Sequence, residues 1–216
     1  MKPTDIHVIL GTPHGVNVAG KRSPDGRLRE YRYGREIVAA LKGDLEALGY
    51  VVHVDIEADR VPDSQSQELT LRCGMVNTIC QQYGAKNCIY VSVHVNASGM
   101  GDWMQARGWC VFTSVGRTKA DTLATCIWNE ADRVLPKAHK YAVRADMSDG
   151  DPDYEKNYYV LAHTACPAVL TENLFMDNRE DMEYLLSEEG RRAIVELHRE
   201  GIVRYTRIEA ASRNRS

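Results

Sequence analysis

Hydrophobic positions along the chain alternate between two patterns: compact apolar runs, and stretches in which apolar residues recur every three or four positions. The run from Ile6 to Gly11 predicts a buried first strand. From Tyr31 to Leu48 the apolar residues Ile37, Val38, Leu41, Leu45 and Leu48 fall at helical spacing, and Gly49 supplies a stop. Tyr50 to Ile56 predicts a second strand. After a polar loop containing Pro62, Ser64 and Gln67 form a capping box. The helix that follows is marked by Leu69, Cys73, Val76, Cys80 and Tyr83 and closed by Gly84.

In Cys88 to His94 the residues Ile89, Val91 and Val93 alternate with Tyr90, Ser92 and His94, which is the period of a strand rich in β-branched side chains. Gly108 to Thr113 predicts another strand. A third helix spans Thr118 to Leu135, with Leu123, Ile127, Ala131 and Val134 facing inward and Pro136 ending it. Beyond the irregular, acidic stretch from Lys137 to Asn157, the segments Tyr158 to Ala162 and Ala168 to Glu172 read as strands. Asn178 with Asp181 caps a short helix, and Ser187 opens the last one, which fades near Arg207.

Strands alternating with helices predict a single α/β domain, with a mostly parallel, twisted central sheet flanked by helices on both faces. It covers residues 1–207, and residues 208–216 read as a disordered tail. A chain of 216 residues is long enough for one well-buried domain and short for two. The composition, 44% hydrophobic and 26% charged, is that of a globular protein, and a net charge of -3 gives no basic face for nucleic acid. No apolar run reaches the ~18 residues of a membrane span. The first residues lack the apolar segment of a secretory leader, so the chain is expected to be made in the cytoplasm or to be a trimmed piece. Six cysteines form no C-x-x-C pair and read as buried free thiols.

Ligands in open α/β sheets collect outside the carboxyl ends of the strands. That edge receives three residues capable of metal or acid-base chemistry. His14 lies in the bend "GTPHG" after the first strand, His94 ends its own strand, and Glu172 ends "AVLTE". Each taken singly has a plain alternative: a surface loop histidine, a hydrogen-bonded core histidine, a salt-bridged carboxylate. Together they suggest a zinc set with one position open for water, provided that a third protein ligand is supplied. Glu30 and Glu36 both lie near the edge at the start of the first helix, and spacing alone does not choose between them.

The segments "GTPHG", "EYRYGREIVAAL", "LRCGMVN", "VSVHVNAS" and "PAVLTENLFMDNREDMEYL" resemble, in order and approximate spacing, the zinc-dependent N-acetylmuramoyl-L-alanine amidases of the Amidase_3 family. That family includes bacterial cell-wall amidases and phage endolysin catalytic domains. The resemblance implies one zinc per chain on His14, Glu30 rather than Glu36, and His94. It implies Glu172 as the catalytic general acid-base, and Asn96 and Asn173 as substrate contacts. The chain departs from the family pattern in placing Thr12 and Pro13 before His14, and in having Asn173 where small or hydroxyl side chains are common.

The implied reaction is hydrolysis of the amide between N-acetylmuramic acid and L-alanine in peptidoglycan, at the cell wall. A polymeric substrate calls for a groove, for which Trp103, Trp109 and the segment 137–157 are rim candidates. Two other functions stay open at this point: a zinc peptidase cutting within the stem peptide, and a silent wall-binding module.

Overall fold

The computed structural model describes residues 5–135 and 143–213. Among the described residues six strands form one sheet: β1 (His7–Gly11), β2 (Val51–Val54), β3 (Cys88–Asn96), β4 (Cys110–Thr113), β5 (Tyr154–Glu155) and β6 (Ala168–Phe175). Their order is β2-β1-β3-β6-β4-β5. The pairs β1–β2, β1–β3 and β3–β6 are parallel, β4 runs antiparallel to β6, and β5 is parallel to β4. The expected mostly parallel α/β sheet is therefore present. The carboxyl ends of β1, β3 and β6 lie side by side at one edge.

Two apolar layers cover the sheet. On one face, Val8, Leu10, Val91, Val93 and Val169 pack with Leu41 and Leu45 of α1 (Glu30–Ala47), Leu123 and Ile127 of α3 (Lys119–Val134), Leu185 of α5 (Arg179–Leu186) and Ile194 and Ile202 of α6 (Glu188–Arg213). On the other, Ile9, Tyr90 and Leu170 meet Cys73, Val76 and Cys80 of α2 (Gln65–Tyr83) and Val160 and Leu161 of α4 (Tyr159–Ala162). All six cysteines are buried and free. The Cys166 thiol brings the Cys80 thiol down to about 7, a relation the sequence did not show.

Several local expectations change. Tyr159–Ala162 is a helical turn rather than a strand, because a four-residue apolar run is compatible with either and packing against α2 decides it. Ser64 sits at the N-cap of α2 but its side chain makes no capping bond, whereas Thr118 and Asp121 form a full capping box on α3. Asn178 does cap α5, accepting from the Glu180 and Asp181 amides. The last helix continues past Arg207 to Arg213, whose guanidinium donates to Asn87 Oδ1 at 2.8 Å and to the Lys86 carbonyl. Of the tail predicted from 208, only residues 214–216 lie outside the described residues. Pro136 and residues 137–142 of the supposed rim lie outside them too.

Candidate active site

The loop leaving β1 is fastened at its base: Thr12 donates its amide to Asp55 Oδ1 at 2.9 Å and its hydroxyl to the Ile56 carbonyl at 2.7 Å. Two residues on, His14 adopts a φ of 38°, sterically costly for a residue with a Cβ. Its imidazole consequently points back across the sheet edge. Arg22 and Arg29 form an isolated antiparallel bridge, so the chain enters α1 at Glu30, which is 1% exposed. Glu30 Oε1 lies 3.1 Å from His94 Nδ1 and accepts the Val95 amide at 3.1 Å. Its other oxygen, Oε2, lies 3.6 Å from His14 Nε2 and has no hydrogen-bond partner although it is buried.

His14, Glu30 and His94 thus offer one ligand atom each, all within 4.8 Å of one another. The two imidazoles stand edge to face, with ring centroids 5.2 Å apart. Burial pushes the His14 imidazole down to about 3, against the pull of Glu30. Burial alone would raise the Glu30 carboxyl, but the hydrogen bond to His94 and the neighbouring histidines bring it down to about 2. Near neutrality this leaves an ionised carboxylate beside a neutral imidazole, the protonation states a metal needs. Two imidazole nitrogens and one carboxylate oxygen, with a buried orphan oxygen among them, fit a zinc ion with an open fourth position. Glu36, the rival, is on the outer side of α1 and pairs with Arg191.

Glu172 stands opposite His94 in the β3–β6 register. Burial pushes its carboxyl well above the usual carboxylate range, and the charge of Glu30 adds to this. Its Oε2 is buried without a partner. A cavity of about 270 Å³ joins His14, His94 and Glu172, and Lys21, Arg72 and Tyr159 also line it. Sequence reasoning missed Arg72, which is 3% exposed, bridges Asp55 and Glu68, and reaches the His14 carbonyl at 3.3 Å. It also missed Ser92, whose Oγ lies 3.1 Å from His94 Nε2; its signal was the two-residue spacing that puts it on the same strand face as His94.

The two asparagines part company. Asn96 is half-buried at the strand end and accepts the Ala97 amide at 2.9 Å. Asn173 is fully buried: it accepts from Trp109 Nε1 at 2.7 Å and donates to the His94 carbonyl at 2.8 Å. Its expected place as a substrate contact is therefore corrected to an internal brace. Alternation along β6 explains this, since Asn173 shares the face of Val169 and Thr171, opposite to Glu172; beyond it the ladder is irregular, two steps from His94 to Asn96 matching three from Glu172 to Phe175, and Leu174 has a φ of 63°. Trp109 is likewise core, not rim. Trp103 is half-buried with the Arg179 guanidinium 4.2 Å from its ring centre, and neither Trp103 nor residues 143–157 line the cavity.

A family model described as N-acetylmuramoyl-L-alanine amidase matches residues 8–204. The chain belongs to the Amidase_3 family. Among curated relatives, the N-acetylmuramoyl-L-alanine amidase CwlM of Bacillus licheniformis is 27% identical over 199 residues, 92% of this chain and 68% of that protein. The endolysin of Bacillus phage SPP1 is 29% identical over 128 residues, which span 59% of this chain but only 44% of the phage protein. Among solved structures, the CwlD amidase from Clostridioides difficile, determined in complex with the GerS lipoprotein, superposes with a TM-score of 0.75 at 22% identity. The match covers 94% of this chain and 99% of that one. The catalytic domain of the CD27L endolysin gives a TM-score of 0.67 at 21% identity, over 92% and 97% of the two chains. These structural likenesses show that the chain shares its fold with those amidase and endolysin domains.

Proposed function

We propose that this Amidase_3 chain hydrolyses the amide between N-acetylmuramic acid and L-alanine in peptidoglycan, using one zinc ion held by His14, Glu30 and His94. The observation that carries this is the convergence of the three ligand atoms within 4.8 Å, with Glu172 facing the same cavity. When bound, zinc supplies a Lewis acid that polarises the scissile carbonyl and acidifies water. The chain's own groups do the rest. Glu172 accepts the proton of the attacking water and returns it to the departing amine, a task suited to a carboxyl that burial makes more basic than a surface one. Glu30 stays ionised, steadying His94 through Oε1 and turning Oε2 towards His14. Asn96, at the exposed end of β3, is the remaining candidate for a substrate contact.

Because the matched stretch spans less than half of the phage endolysin, the cell-wall substrate and site of action are part of this proposal. The test is mass spectrometry of purified peptidoglycan after digestion, with and without a chelator. Free stem peptides beginning with L-alanine, lost on chelation and regained with zinc, are expected. Fragments cut inside the stem peptide would make the chain a peptidase, and no released peptide would leave a binding module.

A further inference from the structure

The strained His14 is held from outside its own loop. All four Nη hydrogens of Arg35 are directed at main-chain carbonyls: Nη1 donates to Pro13 at 3.1 Å and Tyr31 at 3.0 Å, while Nη2 donates to His14 at 3.1 Å and Ala58 at 2.6 Å. Arg35 lies on α1, little more than one turn beyond Glu30. A single planar guanidinium therefore ties together the loop that carries His14, the helix that carries Glu30, and the segment after β2 on which that loop rests. The side chain is 12% exposed, and Asp59 approaches its Nε at 3.5 Å.

The neighbouring position completes the fastening. A Cβ built on Gly34 would lie 2.2 Å from Pro13 Cδ and 2.3 Å from its Cγ. Only glycine lets the helix come this close, so the proline ring seats directly on the α1 backbone. Pro13 in turn fixes the direction in which the chain enters His14. Gly11-Thr-Pro-His14 and Gly34-Arg35 thus form one clasp, with the ring against the bare backbone and the guanidinium closing over the carbonyls on either side of the His14 Cα.

We propose that Arg35, with the Pro13–Gly34 contact, is a positioning residue that sets His14 against Glu30 for metal binding. The inference rests on the zinc reading above, and adds to it what keeps the ligands in place before an ion arrives. Preorganisation of this kind is worth roughly 10- to 100-fold in metal affinity where neighbours of ligands have been removed. Lysine keeps the charge of Arg35 but offers three hydrogens from one nitrogen, and cannot reach four separated carbonyls.

The experiment measures zinc affinity by competition with a chromophoric chelator, the visible spectrum of the cobalt-substituted protein, and the melting temperature of the metal-free protein. These are compared for the wild type, Arg35→Lys, Gly34→Ala and the double variant Pro13→Gly/Gly34→Ala. Expected are a loss of zinc affinity by roughly 10- to 100-fold and an altered cobalt spectrum in Arg35→Lys and Gly34→Ala. The double variant, which makes room for the new methyl group but loses the ring and the fixed φ of Pro13, is expected to stay below the wild type in both. Wild-type affinity and spectrum in both single variants would overturn the clasp while leaving the zinc site standing, even where melting temperature falls. Should Arg35→Lys fail to fold, Gly34→Ala and its double variant decide alone, and unchanged affinity there overturns the proposal. A wild-type protein that binds no zinc would overturn the zinc reading itself, and the clasp with it.

Discussion

Glu30 Oε1 lies 3.1 Å from His94 Nδ1, so the first residue of a helix and the end of a strand 64 positions away share one contact. The other oxygen of the same carboxylate is left without a hydrogen-bond partner 3.6 Å from His14. A buried carboxylate oxygen with nothing to bond is costly unless a cation completes it.

That relationship separates the two glutamates at the start of α1. Glu30→Gln removes the charge that the ion needs, and Glu36→Ala removes only a surface pair with Arg191. Elemental analysis of the purified variants is expected to show strong zinc loss in the first and full zinc in the second. The opposite pattern would move the site along the helix.

Glu172→Gln preserves size and leaves the three proposed ligands untouched, but cannot accept a proton. Turnover should fall by roughly 10²- to 10⁴-fold with zinc content unchanged. Because burial already disfavours the Glu172 charge, its loss should not lower the melting temperature of the metal-free protein. Loss of zinc in this variant would make Glu172 a ligand instead.

Asn173 should behave as a brace. Replacing it with alanine leaves the buried Trp109 Nε1 and the His94 carbonyl without their partner, at a cost of about 1–3 kcal/mol. Urea unfolding should register this destabilisation. A raised KM at unchanged stability would return Asn173 to the substrate.

How much of this was legible depended on whether a feature was local. The sheet and its helices followed from alternation in Cys88 to His94 and from 3.6-residue spacing in Ile37 to Leu45, because one-sided burial imposes those periods directly. The identity of the candidate ligands was readable as residue types at strand ends. Spacing did not choose between Glu30 and Glu36, which only the resemblance separated, because they differ through where α1 starts, just after the bridge between Arg22 and Arg29. Long-range partners were equally silent. Arg213, at the end of the last helix, bonds to Asn87 and Lys86, and Asn173 braces Trp109 against the His94 carbonyl, and neither relation leaves a mark at the residue itself.

His198 offers a test away from the proposed metal site. It is fully buried on α6, with Nδ1 2.7 Å from the Ile194 carbonyl and Nε2 2.9 Å from Thr171 Oγ1. The arrangement fits the neutral tautomer in which Nδ1 donates to the carbonyl and Nε2 accepts the hydroxyl proton. Burial pushes the folded-state pKa down to about 4, below the 6.5 of an unburied histidine. Between those values the unfolded chain binds the extra proton, so stability rises with pH there. The contribution is fully present above pH 6.5, is lost progressively as pH falls towards 4, and amounts to on the order of 3 kcal/mol in total. Denaturant unfolding between pH 4 and 7 should give a flatter profile for His198→Gln than for the wild type, with the two curves converging or crossing at the acid end as the wild-type imidazole becomes charged in the unfolded chain. Parallel profiles across the whole window would mean that His198 titrates alike in both states, contrary to its burial.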